Sequence, residues 1–285
     1  MTIKILADSA CDLPKEIINQ YGIEVFPIPV IIEDQVFLDN VTIKSEDMLR
    51  EMRSGKVYKT SQISRGEFGH YFSQLYQKDP EATYIYVCFS SGLTKIFESA
   101  VLALEDVKQE YPNFKLDIID TKCATLGYGL AVIKAAELVE LNTEKEEIIE
   151  KVNQYASKIR HIFTVDDLAY LYRGGRLTKT SYYVGNMLNV KPVLHLDNQD
   201  GKLYPYRKTR GTKKMMQEII KIMKEEGHDI SSQRIAIGHG DDQEKVNQIK
   251  EMIVKEFGEI EIIENVIGCA VGAHSGPGTL VVLFE

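Results

Sequence analysis

The sequence predicts an α/β fold in two domains. The N-terminal domain is built on a mostly parallel sheet, and the C-terminal domain is α+β with a partly antiparallel sheet. Three observations lead there. Strand and helix patterns alternate from residue 3 to about 158, and that alternation makes a parallel sheet covered on both faces. Beyond it a hairpin signal, Asp197-Asn198-Gln199-Asp200-Gly201, breaks the alternation. The chain has 285 residues, room for two cores of ordinary size. The expected division is 1–158 and 159–285.

In the N-terminal half, 3–7 reads as a strand and Asp8-Ser9-Ala10-Cys11-Asp12 as the turn after it. Asp12 is placed to cap a helix opened by Leu13-Pro14 and closed by Gly22. Asp8 and Ser9 then sit at the carboxyl end of a strand, where open α/β sheets bind ligands, and a supporting role there is open to them. Pro27 and Pro29 bar 23–32 from a central ladder, so it reads as an edge strand or an irregular crossing. Glu33-Asp34 turns the chain into 36–38, and a helix is expected over 45–54. Ser64 and Glu67 form a capping box for a helix to about Gln77. Thr60, Ser61 and Gln62 precede that cap and are not needed by it. They are either a solvated loop or donors to an oxygen anion.

The stretch Thr83-Tyr84-Ile85-Tyr86-Val87-Cys88-Phe89 is β-branched and aromatic, a buried strand. A polar turn, Ser90-Ser91-Gly92-Leu93-Thr94, follows it. Residues 95–110 then carry Ile96, Ala100, Leu104 and Val107 on one helical face. On this stretch alone the hydroxyls read as helix caps. The same geometry also gathers N–H groups into a seat for phosphate or carboxylate. A strand is expected at 115–120, a turn with two glycines at 121–129, and a helix to about 141. Thr143 and Glu146 read as a second capping box, for a helix ending near 159.

The pattern then changes. A strand at 161–165 leads to Asp166-Asp167, read as the cap of a short helix ending in Tyr172-Arg173-Gly174-Gly175-Arg176. A short helix is expected at 181–188, then the hairpin strands 191–196 and 203–206, and a helix over 212–226. A strand at 234–238, a helix from Asp241 or Asp242 to about 257, and strands at 259–264 and 279–284 complete the chain. Residues 268–279 read as a glycine-rich loop carrying His274. Glycine lets backbone approach a ligand closely, whereas a lone histidine is commonly a structural hydrogen-bonder. Arg207, Lys208, Arg210, Lys213 and Lys214 form a basic cluster, either a solvated helix start or a docking face for an anionic partner.

The formal net charge is −8 and the pI about 5.4, which argues against a nucleic-acid partner. No apolar run of about 18–20 residues marks a membrane span. The first residues turn polar too soon for a signal peptide. Cys11, Cys88, Cys123 and Cys269 contain no C-x-x-C and read as reduced thiols of a cytosolic protein. P-loop, dinucleotide, zinc-protease and nucleophile-elbow motifs are missing. The six histidines have no metal-ligand spacing. Hydroxyls, glycine turns and one histidine remain. That set suits holding a carboxylate or phosphate, with no metal and no cofactor expected.

Taken together, the motifs resemble the DegV family of bacterial fatty-acid-binding proteins over essentially the whole chain. The marks are Asp8-Ser9 with Asp12-Leu13, Thr60-Ser61-Gln62, Ser90-Ser91-Gly92-Leu93, Arg173-Gly174-Gly175-Arg176, Lys191-Pro192 and Ala273-His274-Ser275-Gly276-Pro277-Gly278. The resemblance implies a tunnel between the two domains that buries one acyl chain. Its fatty-acid kinase branch presents the carboxylate to a separate ATP-dependent kinase and keeps the acyl phosphate for phospholipid synthesis. On that model the chain is a carrier and not itself an enzyme. Thr60, Ser61, Thr94 and His274 would bind the carboxylate, with Ser90, Ser91, Gly92 and Ser275 as secondary contacts. Arg210 falls where the kinase branch has an arginine tied to phosphoryl transfer, and Arg173 and Arg207 are grouped with it for docking or transfer. Where the family has Ser-Gly-Thr after Gly-Leu, this chain has Thr94-Lys95-Ile96, so Lys95 replaces a glycine close to the expected head-group. Two other readings stand beside this one. The first is an acyl- or phosphoryl-transfer enzyme with His274 as general base. The second is a lipid-sensing regulatory protein that docks through 207–214.

Overall fold

The computed structural model describes residues 2–178 and 190–285. The helix expected at 181–188 lies outside them. Strands β1 (Ile3–Asp8), β2 (Glu24–Phe26), β6 (Thr83–Cys88) and β7 (Lys115–Asp120) form a parallel sheet in the order β2-β1-β6-β7. All six residues of β6 are buried, as expected for a strand paired on both edges and covered on both faces. The covering helices pack in pairs, α3 (Arg65–Lys78) with α4 (Ile96–Glu110) and α5 (Thr125–Glu140) with α6 (Lys145–Ala156). Ser64 and Glu67 form the expected capping box on α3.

The second sheet is mixed. It contains β8 (Arg160–Thr164), β9 (Lys191–Leu196), β10 (Leu203–Thr209), β11 (Arg234–His239), β12 (Glu261–Val266) and β13 (Leu280–Phe284), in the order β10-β9-β8-β13-β11-β12. Only β11 and β12 pair in parallel. The period of two sorts its residues between two cores. Ile162, Leu280, Val282 and Phe284 join α8 (Thr212–Glu226) and α9 (Gln243–Phe257) on one face. Phe163, Val281 and Leu283 join the core of the parallel-sheet domain on the other.

A third, three-stranded sheet was not foreseen. It runs β4 (Gln35–Leu38), β3 (Pro29–Ile32), β5 (Lys59–Thr60), with both pairings antiparallel. Pro29 does not keep β3 from the centre, because the proline takes the strand's first position. Thr60 therefore lies on a strand and not in a solvated loop.

Several local expectations are corrected. Asp12 does not cap α1 (Lys15–Tyr21), whose N-cap is Pro14. Thr143 and Glu146 make no box, since α6 starts with Glu144 as N-cap and no side-chain bond. Asp167 accepts the Ala169 N–H at 2.8 Å at the start of α7 (Ala169–Arg173), while Asp166 pairs with Lys191 and Lys245 instead. The supposed loop at 268–279 contains a helix, α10 (Cys269–Ser275).

Gly127 and Gly129, read as turn residues, lie within α5. A Cβ on Gly127 would stand 2.2 Å from His161 Nε2 and 2.6 Å from Leu283. In an open helix Gly→Ala would stabilise by roughly 1 kcal/mol. Here the contact reverses the sign, and Gly127→Ala is expected to destabilise by about 1–3 kcal/mol in urea unfolding.

Candidate ligand-binding site

A cavity of about 540 Å³ lies between the parallel-sheet domain and the inner face of the mixed sheet, within the roughly 300–1,000 Å³ of small-molecule sites. Its floor is His161, Phe163, Leu196 and Val281. Register makes them neighbours, with Phe163 opposite Val281 and His161 opposite Leu196. Phe89, Leu93 and Ile96 supply another wall from the turn after β6. That turn lies beside the point where strand order reverses, between β1 and β6, the usual ligand crevice of an open α/β sheet.

One end of the cavity is polar. His274, near the C-terminus of α10, shares a 2.7 Å hydrogen bond between its Nε2 and Thr60 Oγ1 on β5. Its Nδ1 is buried without a partner among the described residues. A Cβ on Gly174 would stand 2.2 Å from that Nδ1, so glycine is what lets the ring fit. Arg176 lines the same cavity. It donates from Nε to Leu93 O at 3.2 Å and from Nη1 to Gly174 O. No carboxylate pairs with it among the described residues. Burial, and secondly the charge of Arg176, push His274 down to about 4, so the ring is neutral at pH 7.

His161, at the start of β8, belongs to the apolar floor. Its Nε2 accepts the Ala124 N–H at 3.1 Å, and its Nδ1 donates to Ile159 O at 3.2 Å. Both nitrogens are spent, and burial lowers its pKa to about 4. It therefore presents a neutral ring to the cavity.

The other named residues divide. Thr94, Ser61, Ser91, Gly92 and Ser275 line the cavity with Thr60 and His274. Ser90 does not: its hydroxyl donates to Gly201 O at 2.9 Å. Ser91 Oγ donates to Asp120 at 2.6 Å. Neither serine caps α4, whose N-cap is Lys95, without any side-chain cap bond. Gly92 serves packing, since a Cβ there would stand 2.2 Å from Asp200 O on the hairpin turn. Lys95 has a negative φ, so no glycine is required at that position, and its Nζ pairs with Glu98 at 2.6 Å. Arg173, Arg207 and Arg210 are exposed and outside the cavity wall. Arg173 stacks on Tyr170 and Arg207 on Tyr206. Arg173, grouped above with Arg210 for docking or transfer, stands outside the wall, whereas Arg176 from the same Gly-Gly turn lines it, as do Lys95 and Lys202. The one signal was the Gly174-Gly175 pair, with Gly175 at φ 72°, which turns the chain between the two arginines.

Asp8, Ser9 and Asp12 do not reach the cavity either. Asp8 accepts from Tyr86 Oη at 2.7 Å, and burial raises its carboxyl to about 6. Asp12 Oδ1 accepts the Gly268 N–H at 2.9 Å, and its Oδ2 the Thr125 hydroxyl at 2.5 Å. Asp39 Oδ1 accepts the Cys269 N–H at 2.8 Å. Its Oδ2 accepts the Ala270 N–H at 3.1 Å and the Ser9 hydroxyl at 2.9 Å. The two carboxylates thus hold the N-terminus of the helix whose other end carries His274. Among the described residues no helix is long and apolar enough to cross a membrane, and no group of His, Cys, Asp and Glu could hold a metal.

Fold and site together define a two-domain α/β protein with an apolar cavity between the domains and a polar seat at one end. The chain belongs to the DegV family, a family of uncharacterised proteins whose model matches residues 2–285. It is 36% identical over 283 residues to a DegV domain-containing protein of Caldanaerobacter subterraneus, covering 99% of this chain and 98% of that one. Its structure is similar to a fatty-acid-binding DegV family protein from Thermus thermophilus, with a TM-score of 0.89, 27% identity and 99% of each chain covered. It is also similar to DegV of Bacillus subtilis, a fatty acid binding protein, with a TM-score of 0.87, 28% identity and 100% of each chain covered.

The neutral state of His274 has a consequence for stability. Between pH 6.5 and 4 the unfolded chain takes up a proton at this position and the folded chain does not. Its stabilising share is complete above about pH 6.5 and is lost as pH falls towards 4. His274→Gln is therefore expected to flatten the acid limb of urea-measured stability over that window, by on the order of 3 kcal/mol at its lower end. Parallel curves for variant and wild type would contradict this.

Proposed function

We propose that the cavity holds the acyl chain of a long-chain fatty acid, with the carboxylate at the Thr60–His274–Arg176 end. The observation that carries this reading is an apolar cavity that ends on a cation with no carboxylate partner among the described residues. Each buried methylene contributes roughly 0.8 kcal/mol, so the tail supplies most of the affinity. A buried carboxylate without partners would be costly. Arg176 offers the charge, and the Thr60 and Thr94 hydroxyls offer hydrogen bonds. The fatty-acid-binding relatives from Thermus thermophilus and Bacillus subtilis support the ligand class.

The same reading makes the chain the carrier subunit of a fatty-acid kinase system in the cytoplasm, and not itself an enzyme. Ser61 and Gln62 are exposed at the cavity rim, which leaves the carboxylate within reach of a partner. A neutral His274 does not protonate that carboxylate. One of its oxygens stays free to attack the γ-phosphorus of an ATP held by the kinase. The new bond is carboxylate oxygen to phosphorus, the bond to the β-phosphate oxygen breaks, and ADP leaves. The acyl phosphate stays in the cavity for transfer to phospholipid synthesis. Arg173, Arg207 and Arg210 are exposed and serve as the docking or transfer side.

The hydrogen bond between Thr60 and His274 favours a second reading, a hydroxyl nucleophile with its base. Against it, His274 has no carboxylate to orient it among the described residues and is a weak base beside Arg176. Acyl-ester turnover that disappears in Thr60→Val would support that alternative.

Native mass spectrometry of the purified protein is expected to show a lipid-sized adduct or uptake of labelled oleate. A protein that neither carries nor takes up fatty acid would overturn the carrier reading. Thr94→Val is expected to keep the fold and weaken oleate binding about tenfold, the worth of one hydrogen bond to a charged group. Arg210→Ala is expected to bind oleate like wild type and to be phosphorylated more slowly by the partner kinase. Equal rates would remove Arg210 from the transfer site.

A further inference from the structure

We infer that Asp39 is a positioning residue for the head-group site, setting where His274 stands by holding the opposite end of its helix. The inference rests on the fatty-acid reading for its ligand, but its geometry is independent of any ligand. Helix α10 is seven residues long, about 10 Å at the usual rise. Its N-terminal N–H groups end on Asp39 and Asp12, and near its C-terminus His274 meets Thr60. Asp39 follows directly after β4, and Thr60 lies on β5 of the same small sheet. One sheet therefore grips both ends of the helix.

The two carboxylates are not equivalent. Both are nearly inaccessible, Asp12 at 4% and Asp39 at 1% exposure, and neither has a salt bridge among the described residues. A backbone N–H can only donate. Asp39 faces one with each oxygen, Cys269 N on Oδ1 and Ala270 N on Oδ2. Oδ2 also accepts the Ser9 hydroxyl, and burial raises the carboxyl pKa, but a proton on either oxygen would weaken a bond to the helix, so the anion is the form that serves all three donors best. Asp12 differs: Oδ1 faces the Gly268 N–H, but Oδ2 faces the Thr125 hydroxyl, which can donate or accept. Asp12 can therefore be neutral in place.

This asymmetry separates two isosteric variants. In Asp12→Asn the carbamoyl oxygen can accept from Gly268 while its NH2 donates to Thr125. In Asp39→Asn the NH2 must oppose a backbone N–H in either flip. A general need for buried negative charge would make the two variants alike. A positioning role makes them unlike.

The test follows the His274 imidazole nitrogen resonances in ligand-free, 15N-histidine-labelled protein, assigned by comparison with His274→Gln, together with oleate affinity by titration calorimetry. Asp12→Asn is expected to leave the His274 resonances in place and the affinity within twofold. Asp39→Asn is expected to shift the Nε2 resonance and to lower affinity at least tenfold. Should Asp39→Asn not fold, Ser9→Ala removes one of the three donors to the same carboxylate. It is then expected to move the resonance in a graded way and lower affinity about threefold. An unmoved His274 resonance in Asp39→Asn, or in Ser9→Ala if that variant replaces it, or equal effects of the two Asn variants, would overturn the inference. Wild-type protein that binds no oleate would sink the fatty-acid reading alone, because the ligand-free resonances still decide the positioning role.

Discussion

Helix α10 has seven residues, too few for a helix to persist in water on its own hydrogen bonds. Its first N–H groups have no partners within the helix and would be costly to bury bare. Asp12 and Asp39, both from the parallel-sheet domain side of the chain, take those groups. In return the amides and the positive end of the helix supply the partners that let two acidic side chains be buried without a cation among the described residues. The helix also packs against α2 (Ser45–Arg53), α7, β3 and β5. The position of His274, and with it the polar end of the cavity, follows from that one reciprocal contact.

The cavity divides its chemistry by depth. The inner face of the mixed sheet is apolar, and even His161 there has both nitrogens engaged by backbone. At the other end, His274 and Thr60 bond to each other beside Arg176. On the proposed reading, such a site suits an anion with a long apolar tail better than it suits bond breaking. The histidine lacks an orienting carboxylate among the described residues, and burial, with the nearby guanidinium second, depresses its basicity.

Elements with strong local patterns were legible. The buried run at 83–88, the capping box at Ser64 and Glu67, the 212–226 helix and the hairpin at 197–201 all express near-neighbour chemistry. Helix α10 was not legible, because in Gly268-Cys269-Ala270-Val271-Gly272 a single alanine stands among two glycines and two poor helix formers, with no apolar period. It is helical because distant carboxylates receive its N-terminus. Gly127 and Gly129 misled for a related reason. They mark the close passage of His161 and Cys11 against a helix and not a bend in the chain. The roles first given to Ser90, Ser91 and Asp12 as caps failed because each found a partner far along the chain.

Residue order alone was enough for the alternation of strands and helices, the break to a mixed sheet, and the set of hydroxyls and one histidine that marks the family. These depend on periodicity and local bonding, which are written within a few residues of one another. The meeting of Thr60 with His274, the entry of Arg176 into the cavity wall, and the hold of Asp39 on α10 required the folded chain. Each joins segments separated by tens to hundreds of positions, or turns on which way a short loop points. Whether those groups meet is settled by how the three sheets pack, and no local pattern encodes that packing.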